Sequence, residues 1–178
     1  MTNVFAPESH CNFSWDKLGD ITKGRPHLGP EVPVKVYRIF EYAVYDVLCH
    51  EIGQEKAQAV LREAGYKAGW EFAHNVLDLS AGFDSFLADT AAKLLNLQIG
   101  VLRVEKMDQQ TGEFTVTVAE DLDCSGLQAS GEEVCNYDEG FLAAIFEAYT
   151  KQRYTVREVD CWASGDKVCR FVGIPQAS

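Results

Sequence analysis

The segment from residue 158 to residue 171 reads EVDCWASGDKVCRF, and its turn and cysteine positions decide the fold of the C-terminal part of the chain. The central Ser-Gly-Asp tripeptide separates two runs with strand character and is typical of a β-hairpin turn. Cys161 and Cys169 each lie four residues from Gly165, so the hairpin would place their side chains opposite each other on neighbouring strands. The pattern predicts two strands, over residues 154–163 and 167–174.

Four side chains in this part of the sequence form a candidate metal site: Cys135, Glu158, Cys161 and Cys169. Cys135 opens a predicted helix, where the free N–H groups and the helix dipole favour a thiolate. Three thiolates and one carboxylate would fill all four positions of a tetrahedral zinc ion, and a site filled in this way is structural and not catalytic. Because Glu158 precedes Cys161 by three residues, both can face one ion only if a bulge or a strand end lies between them.

The cysteine spacing alone also allows two simpler interpretations. Cys161 and Cys169 could form a cross-strand disulfide in an oxidising compartment, or the thiols could be ordinary buried side chains. Cys124 lies near Cys135 in a loop that contains glycine and serine, and it could be a further thiol near the metal or simply a buried one. The chain holds six cysteines in all: Cys11, Cys49, Cys124, Cys135, Cys161 and Cys169.

Before this region the hydrophobic pattern changes from helical to strand-like spacing. Apolar residues at helical spacing predict helices over 34–52, from Gln54 to about Leu77, and after Asp84 as N-cap. Alternating residues predict strands over 100–107 and 113–119 around a turn at 109–112, and a helix over 137–149 follows. The predicted order is α-α-α-β-β-α-β-β, an α+β fold with helices packed on an antiparallel sheet.

The first thirty-three residues predict an extended N-terminal arm, because prolines and glycines interrupt every regular pattern there. Residues 34–178 form the single folded domain in this interpretation. The formal net charge of −11 disfavours a nucleic-acid partner. No apolar run approaches the length of a membrane span, and the N-terminus does not resemble a signal peptide, so the expected location is cytoplasmic.

The segments CNYDEGFL at 135–142 and EVDCWASGDKVCRF at 158–171 resemble the 4-vinyl reductase domain family, which includes the sensory domains of bacterial phenol- and toluene-responsive activators. In those relatives a Cys, a Glu-x-x-Cys and a further Cys bind zinc, and the spacings of 26 and 8 between Cys135, Cys161 and Cys169 look the same. The resemblance therefore favours structural zinc. It also implies the fold of haem–nitric-oxide-binding domains and TRAPP tethering subunits.

The resemblance implies a cavity for a small apolar or aromatic ligand. Phenol sensors of this family hold the ligand hydroxyl with a His and a Trp, but here no His follows His74 and no Trp lies between Trp70 and Trp162, so we expect a more apolar pocket. The candidate lining residues are Trp70, Phe72, Phe83, Phe86, Leu94, Phe114 and Phe141.

Our first hypothesis is a non-enzymatic sensor domain that forms a homodimer and signals to a partner protein. The sequence has no nucleotide-binding fingerprint or nucleophile elbow. One alternative is an accessory subunit of a reductase in tetrapyrrole or aromatic metabolism. Another is a structural adaptor with an acyl-binding channel.

Overall fold

The computed structural model describes residues 13–108 and 110–177, and the chain divides into two units between Glu31 and Val32. The described part of the first unit contains a 3-10 turn, Trp15–Leu18, and a one-turn helix α1, Ile21–Gly24. The carboxylate of Asp20 caps α1 by accepting the N–H of Lys23 at 2.9 Å. Residues 1–12 of the predicted arm lie outside the described residues, and the extended arm stays a prediction.

The second unit has the predicted order of elements, and the α+β class is confirmed. Its helices are α2 (Val34–Ile52), α3 (Gln54–Val76), α4 (Phe83–Asn96) and α5 (Asn136–Thr150), and its strands are β1 (Val101–Met107), β2 (Phe114–Ala119), β3 (Tyr154–Asp160) and β4 (Cys169–Pro175). Gly53 separates α2 from α3 with a φ of +83°, a left-handed conformation that glycine adopts easily. Among the described residues, every helix is too short or too polar to cross a bilayer.

Two predicted boundaries differ from the structure. Helix α4 takes Gly82 as its N-cap, and Asp84 lies in the first turn, where its charge favours the helix N-terminus without capping it. The strands of the C-terminal hairpin are shorter than predicted, because the carbonyl of Cys161 accepts the N–H groups of Ser164 and Asp166 at 3.1 and 3.0 Å. These turn hydrogen bonds replace strand pairing beyond Asp160.

The four strands form one antiparallel sheet in the order β1-β2-β4-β3. The central β2–β4 pair joins strands from the two hairpins, with Val116 opposite Phe171 and Val118 opposite Cys169. Strand β3 alternates buried and exposed residues, as expected for a sheet with one face against a core.

Helix α5 lies against the buried face of this sheet and supplies much of the core. Its residues Phe141, Leu142, Ile145 and Phe146 are buried. The ring of Phe146 stacks on that of Phe114 from β2, with centroids 3.8 Å apart. Burial of each such side chain contributes about 1.5–3 kcal/mol, so this layer fixes α5 on the sheet.

Helix α3 crosses α5 at a contact made by small residues. A Cβ atom at Gly65 or Gly69 of α3 would clash with the backbone of Tyr137 or Phe141, and one at Gly140 of α5 would clash with the carbonyl of Arg62. These three glycines therefore allow the two helix backbones to touch. The close crossing holds the N-terminal end of α5, where the candidate site begins, firmly against α3.

Candidate metal centre

The β3–β4 hairpin places two of the predicted ligands at one end of the sheet. Asp160 and Arg170 form the last strand pair, Cys161 follows immediately after β3, and Cys169 is the first residue of β4. The register of β3 against β4 shifts between Glu158 and Asp160, which indicates a β-bulge. Because of this bulge, Glu158 and Cys161 are both buried although three residues separate them.

Two further elements bring a thiol to the same place. Cys135 is the N-cap of α5, so its sulfur lies beside the positive end of the helix dipole. Cys124 follows β2 in a turn that Asp121 organises, since the Oδ1 atom of Asp121 accepts the N–H groups of Asp123 and Cys124 at 2.8 and 3.2 Å. The hairpin, α5 and the 121–125 turn thus converge on one point.

The four cysteines Cys124, Cys135, Cys161 and Cys169 form a cluster whose sulfur atoms all lie within 4.8 Å of one another. The Sγ atom of Cys135 is 3.9 Å from that of Cys161 and 3.8 Å from that of Cys169, while the Sγ atoms of Cys124 and Cys169 are closer together, 3.1 Å apart. Four sulfurs around a tetrahedral zinc ion, with Zn–S bonds of about 2.3 Å, are about 3.8 Å apart. The four side chains are at most 1% exposed and their thiols are free, so together they could hold one four-coordinate metal ion.

Cys124 is the member that sequence reasoning left open, and Glu158 is the predicted ligand that lies outside the cluster of four. The Oε2 atom of Glu158 accepts the N–H of Cys135 at 3.0 Å, and its Oε1 atom is buried without a hydrogen-bond partner in the described structure. Burial, and secondly the charge of Cys161, raise the pKa of Glu158 to about 8. Glu158 therefore supports the backbone of one cluster residue directly.

The surroundings of the cluster are rich in buried acid groups. Desolvation is the first cause of a raised pKa at Asp121, Asp123 and Asp138. Hydrogen bonds among the thiols lower the pKa of Cys161 and raise the pKa values of Cys135 and Cys169, in each case with Cys124 as the first cause. Four thiolates could form together only with a cation among them, because like charges this close oppose each other's ionisation.

A comparison with protein families identifies this region. Residues 114–175 match the V4R domain. The matched segment runs from β2 to β4 and contains all four cysteines of the cluster. The resemblance predicted from the cysteine segments is thereby confirmed.

Two uncharacterized proteins of Methanocaldococcus jannaschii are related in sequence. One is 21% identical over 145 residues, which cover 82% of this chain and 77% of the relative. The other is 32% identical over 69 residues, and the match spans 39% of this chain and less than half, 42%, of that relative.

Several solved structures share the fold. The phenol-responsive sensory domain of the transcription activator PoxR superposes with a TM-score of 0.63 at 16% identity, covering 83% of this chain and 76% of that one. A vinyl-4-reductase family protein from Methanocaldococcus jannaschii superposes with a TM-score of 0.61 at 12% identity, and the match covers 95% of this chain and 99% of that one. A third structure is a trafficking protein particle complex subunit 3 from Naegleria fowleri that is covalently bound to palmitic acid. It superposes with a TM-score of 0.59 at 14% identity, and the match covers 80% of this chain and 97% of that one. An H-NOX protein from S. oneidensis superposes with a TM-score of 0.51 at 13% identity, and the match covers 92% of this chain and 88% of that one. The fold relationship predicted from the sequence is therefore confirmed.

Most of the residues predicted to line a ligand cavity are packed in the core. Five of them are at most 8% exposed: Phe72, Phe86, Leu94, Phe114 and Phe141. Phe72 packs on Phe141 with centroids 5.3 Å apart, and Phe86 stacks on Tyr149 at 4.0 Å. Trp70 and Phe83 are half-buried, and Phe83 contacts Tyr149 at 5.7 Å. Their role as ligand contacts stays a prediction.

A groove of about 270 Å³ lies between α3, α5 and β3. Its apolar lining includes Ala59, Ala143 and Val156, and the side chain of Tyr66 forms part of its wall. Arg62 and Arg157 line it as well, and both guanidinium groups donate hydrogen bonds to the buried carboxylate of Glu139. The groove thus combines an apolar surface with a fixed charged group, a combination common in sites for small molecules.

Proposed function

We propose that this chain is a small-molecule-binding sensory domain whose C-terminal part is held together by a structural zinc ion. The observation that carries the proposal is the buried cluster of four thiols in a V4R domain, on a fold that superposes with a phenol-responsive sensory domain. The ion would be held by Cys124, Cys135, Cys161 and Cys169. This ligand set differs from the one predicted from the sequence, because Cys124 takes the place of Glu158.

The chemistry of the donors supports zinc and a structural role. Four thiolates in a tetrahedral arrangement select zinc, or iron in a site of the same geometry. When bound, the ion would cross-link the 121–125 turn, the start of α5 and the β3–β4 hairpin. Four protein ligands leave no position for water or substrate, so such a site stabilises the fold and performs no catalysis.

The groove between α3, α5 and β3 is the binding site that we propose for the ligand. A buried cavity of about 150 Å³ is large enough for benzene, so a groove of about 270 Å³ could take a single substituted ring. Ala59, Ala143 and Val156 would contact the ring, and the guanidinium of Arg157 could donate to a hydroxyl or carboxylate substituent. The ligand class is therefore a small aromatic molecule with one polar group.

Native mass spectrometry of protein purified without chelator tests both parts of the proposal. We expect a mass increment of one zinc ion per chain, which thiol alkylation under denaturing conditions should remove. Visible absorption from iron–thiolate charge transfer would contradict zinc. Phenol or benzoate added to the same samples should bind and raise the thermal unfolding temperature.

A pair of variants locates the ligand site. Ala59→Trp would place an indole in the groove at an exposed helix position, and we expect it to abolish the thermal shift caused by phenol or benzoate. Val60→Trp adds the same side chain at the next position of α3, outside the groove, and should leave the shift unchanged. Equal shifts in both variants would show that the groove is not the site.

The reductase-subunit and acyl-channel hypotheses remain predictions of the sequence analysis. The stacked rings of Phe114 and Phe146 occupy the space between α5 and the sheet. Within the described residues, this interior packing gives no specific observation in favour of an acyl channel.

A further inference from the structure

Helix α2 is attached to the 121–125 turn by polar side chains on its inner side. Tyr37 donates a hydrogen bond to Oδ1 of Asp123 at 2.9 Å, and Tyr42 donates to the carbonyl of Asp123 at 3.1 Å. Glu41 lies one helical turn after Tyr37, so its side chain faces the same turn. A carboxyl group from α2 therefore reaches the region that also holds the buried aspartates.

Four carboxyl groups meet where α2, the 121–125 turn and the start of α5 come together. We call them the acid cluster, and they belong to Glu41, Asp121, Asp123 and Asp138. Asp121 and Asp123 are each only 3% exposed. The carboxyl of Glu41 lies within hydrogen-bonding reach of that of Asp123. Asp121 and Asp138 are in the same relation, with carboxylate oxygens within 4.8 Å of each other.

The acid cluster has no basic partner among the described residues. None of its carboxyls forms an ion pair in residues 13–108 and 110–177. The guanidinium of Arg38 donates instead to the backbone carbonyls of Leu122 and Ser125 at 2.7 and 3.0 Å. The Oε2 atom of Glu41 and the Oδ2 atom of Asp123 are buried, and no described group donates a hydrogen bond to them. Buried carboxyls of this kind either hold protons or coordinate a cation.

The sequence of the turn favours a cation. Residues 121–126 read DLDCSG, with oxygen-bearing side chains at the first, third and fifth positions and a glycine at the sixth. Calcium-binding loops have this pattern, in which the glycine makes the sharp turn. Gly126 has a φ of +88°. The oxygens of Asp121 and Asp138 also have a suitable separation, since two oxygens that are each about 2.3–2.6 Å from a calcium ion are at most about 5 Å apart.

We propose that the acid cluster binds one oxygen-preferring divalent cation, and that this ion is calcium. Carboxylates suit calcium, magnesium and manganese, whereas thiolates suit zinc, so the acid cluster and the neighbouring cysteines would take different metals. The ion would replace the protons that these carboxyls otherwise hold. It would connect Glu41 of α2 to the turn and to Asp138 of α5. The inference goes beyond the proposed function and requires neither a small-molecule ligand nor bound zinc.

Equilibrium dialysis of the full chain against calcium tests the site. We expect one calcium ion per chain in about 0.1 M salt, where the attraction of exposed charges is largely screened. Asp123→Asn should weaken binding at least about tenfold, because asparagine can still accept from Tyr37 but lacks the negative charge. Asp46→Asn makes the same change at a side chain of α2 that is 73% exposed, and it should leave calcium binding unchanged. Zinc content should be the same in all samples.

A second variant is needed because Asp123 directly precedes Cys124. Glu41→Gln changes the acid cluster from α2, and it should also weaken calcium binding at least about tenfold while zinc content stays unchanged. In the wild-type chain, calcium should raise the thermal unfolding temperature, because an ion that binds only the folded state stabilises it. Neither Asp123→Asn nor Glu41→Gln should show this increase.

Three results would overturn the inference. The first is the absence of calcium, magnesium and manganese binding at about 1 mM free ion, the range in which the weakest calcium sites of proteins are filled. The second is calcium binding that both variants retain, since the ion would then lie on exposed carboxylates. The third is loss of zinc together with calcium in Glu41→Gln, which would contradict two separate sites. Tighter binding of magnesium than of calcium would contradict calcium as the ion.

Discussion

The sulfur atoms of Cys124 and Cys169 lie 3.1 Å apart, although 45 residues separate them along the chain. Cys169 begins β4 opposite Val118 of β2, and Cys124 follows β2 in the next turn. Pairing of β2 with β4 thus brings the two thiols together, and α5 adds Cys135 from a third direction. The metal centre would therefore fasten three segments that meet only in the folded chain.

The first prediction concerns which residue is the fourth ligand. Cys124→Ser should abolish stoichiometric zinc binding at submicromolar free zinc, because a neutral hydroxyl is a far weaker ligand than a thiolate. Competition with a chromogenic chelator measures the affinity, and metal analysis measures the stoichiometry.

Glu158→Gln is the informative partner of that variant. Glutamine can still accept the N–H of Cys135, so we expect one zinc per chain with affinity reduced by at most about 10–100-fold. If Glu158→Gln releases the metal while Cys124→Ser retains it, the ligand set is the one predicted from sequence, with Glu158 as a ligand.

The second prediction concerns removal of the metal. A site that forms only in the folded state adds its binding free energy to stability, so a strong chelator should lower the unfolding temperature. Hydrogen exchange should speed up most at the 121–125 turn and at residues 161–169, where the cross-linked segments carry few regular hydrogen bonds. Residues 146–150, at the end of α5 opposite Cys135, should exchange at an unchanged rate, whereas uniform acceleration would indicate global unfolding instead.

Local patterns in the sequence were enough to predict most of the fold. The bounds of α2 and the beginning of α3 follow from apolar spacing around Gly53, and the two hairpins follow from alternation around short turns. Three of the clustered cysteines were predictable because they lie in one motif with fixed spacing. The zinc interpretation asked for either a bulge or a strand end between Glu158 and Cys161, and the structure has a bulge between Glu158 and Asp160.

The remaining features depend on contacts between distant segments. Cys124 joins the cluster through the β2–β4 pairing, which no local pattern specifies. The helical spacing of Ile39 and Phe40 predicted a helix but not the direction of its apolar face, because the tyrosines and Arg38 on the opposite side bind the 121–125 turn. The aromatic residues predicted to line a cavity could not be distinguished from core residues, since both are apolar and buried.

The third prediction concerns the close crossing of α3 and α5. Gly140→Ala should destabilise the fold by about 1–3 kcal/mol, because the added methyl group meets the carbonyl oxygen of Arg62 and forces the helices apart. Gly82→Ala is the control, since its Cβ would have no heavy atom within 4 Å and its φ of −62° suits alanine. Urea unfolding measures the free energy of unfolding of both variants. Equal stability of the two variants would show that the crossing can relax at no cost.

The fourth prediction concerns the pH dependence of stability at Glu41, on the inner side of α2. Desolvation raises the pKa of this carboxyl from 4.5 to about 7, and its Oε2 atom is buried without a hydrogen-bond partner in the described structure. The neighbouring Asp123 side chain and the charge of Arg38 favour ionisation of Glu41 and limit this rise in its pKa, whereas the charge of Asp121 opposes ionisation. The folded state holds the proton of Glu41 more tightly than the unfolded chain does. The contribution of this group to stability is therefore complete below about pH 4.5 and is lost as the pH rises through about 7.

Glu41→Gln removes this titration while keeping the shape of the side chain. Between pH 5 and pH 8 the wild-type chain should therefore lose stability relative to the variant, by on the order of 1 kcal/mol after allowance for partial exposure. Urea unfolding at both pH values gives the difference, and Glu51→Gln, at an exposed position of the same helix, controls for the loss of one negative charge. If the wild type and Glu41→Gln change in parallel from pH 5 to pH 8, Glu41 does not hold its proton in the folded state, and the acid groups beneath α2 are better compensated than their burial indicates.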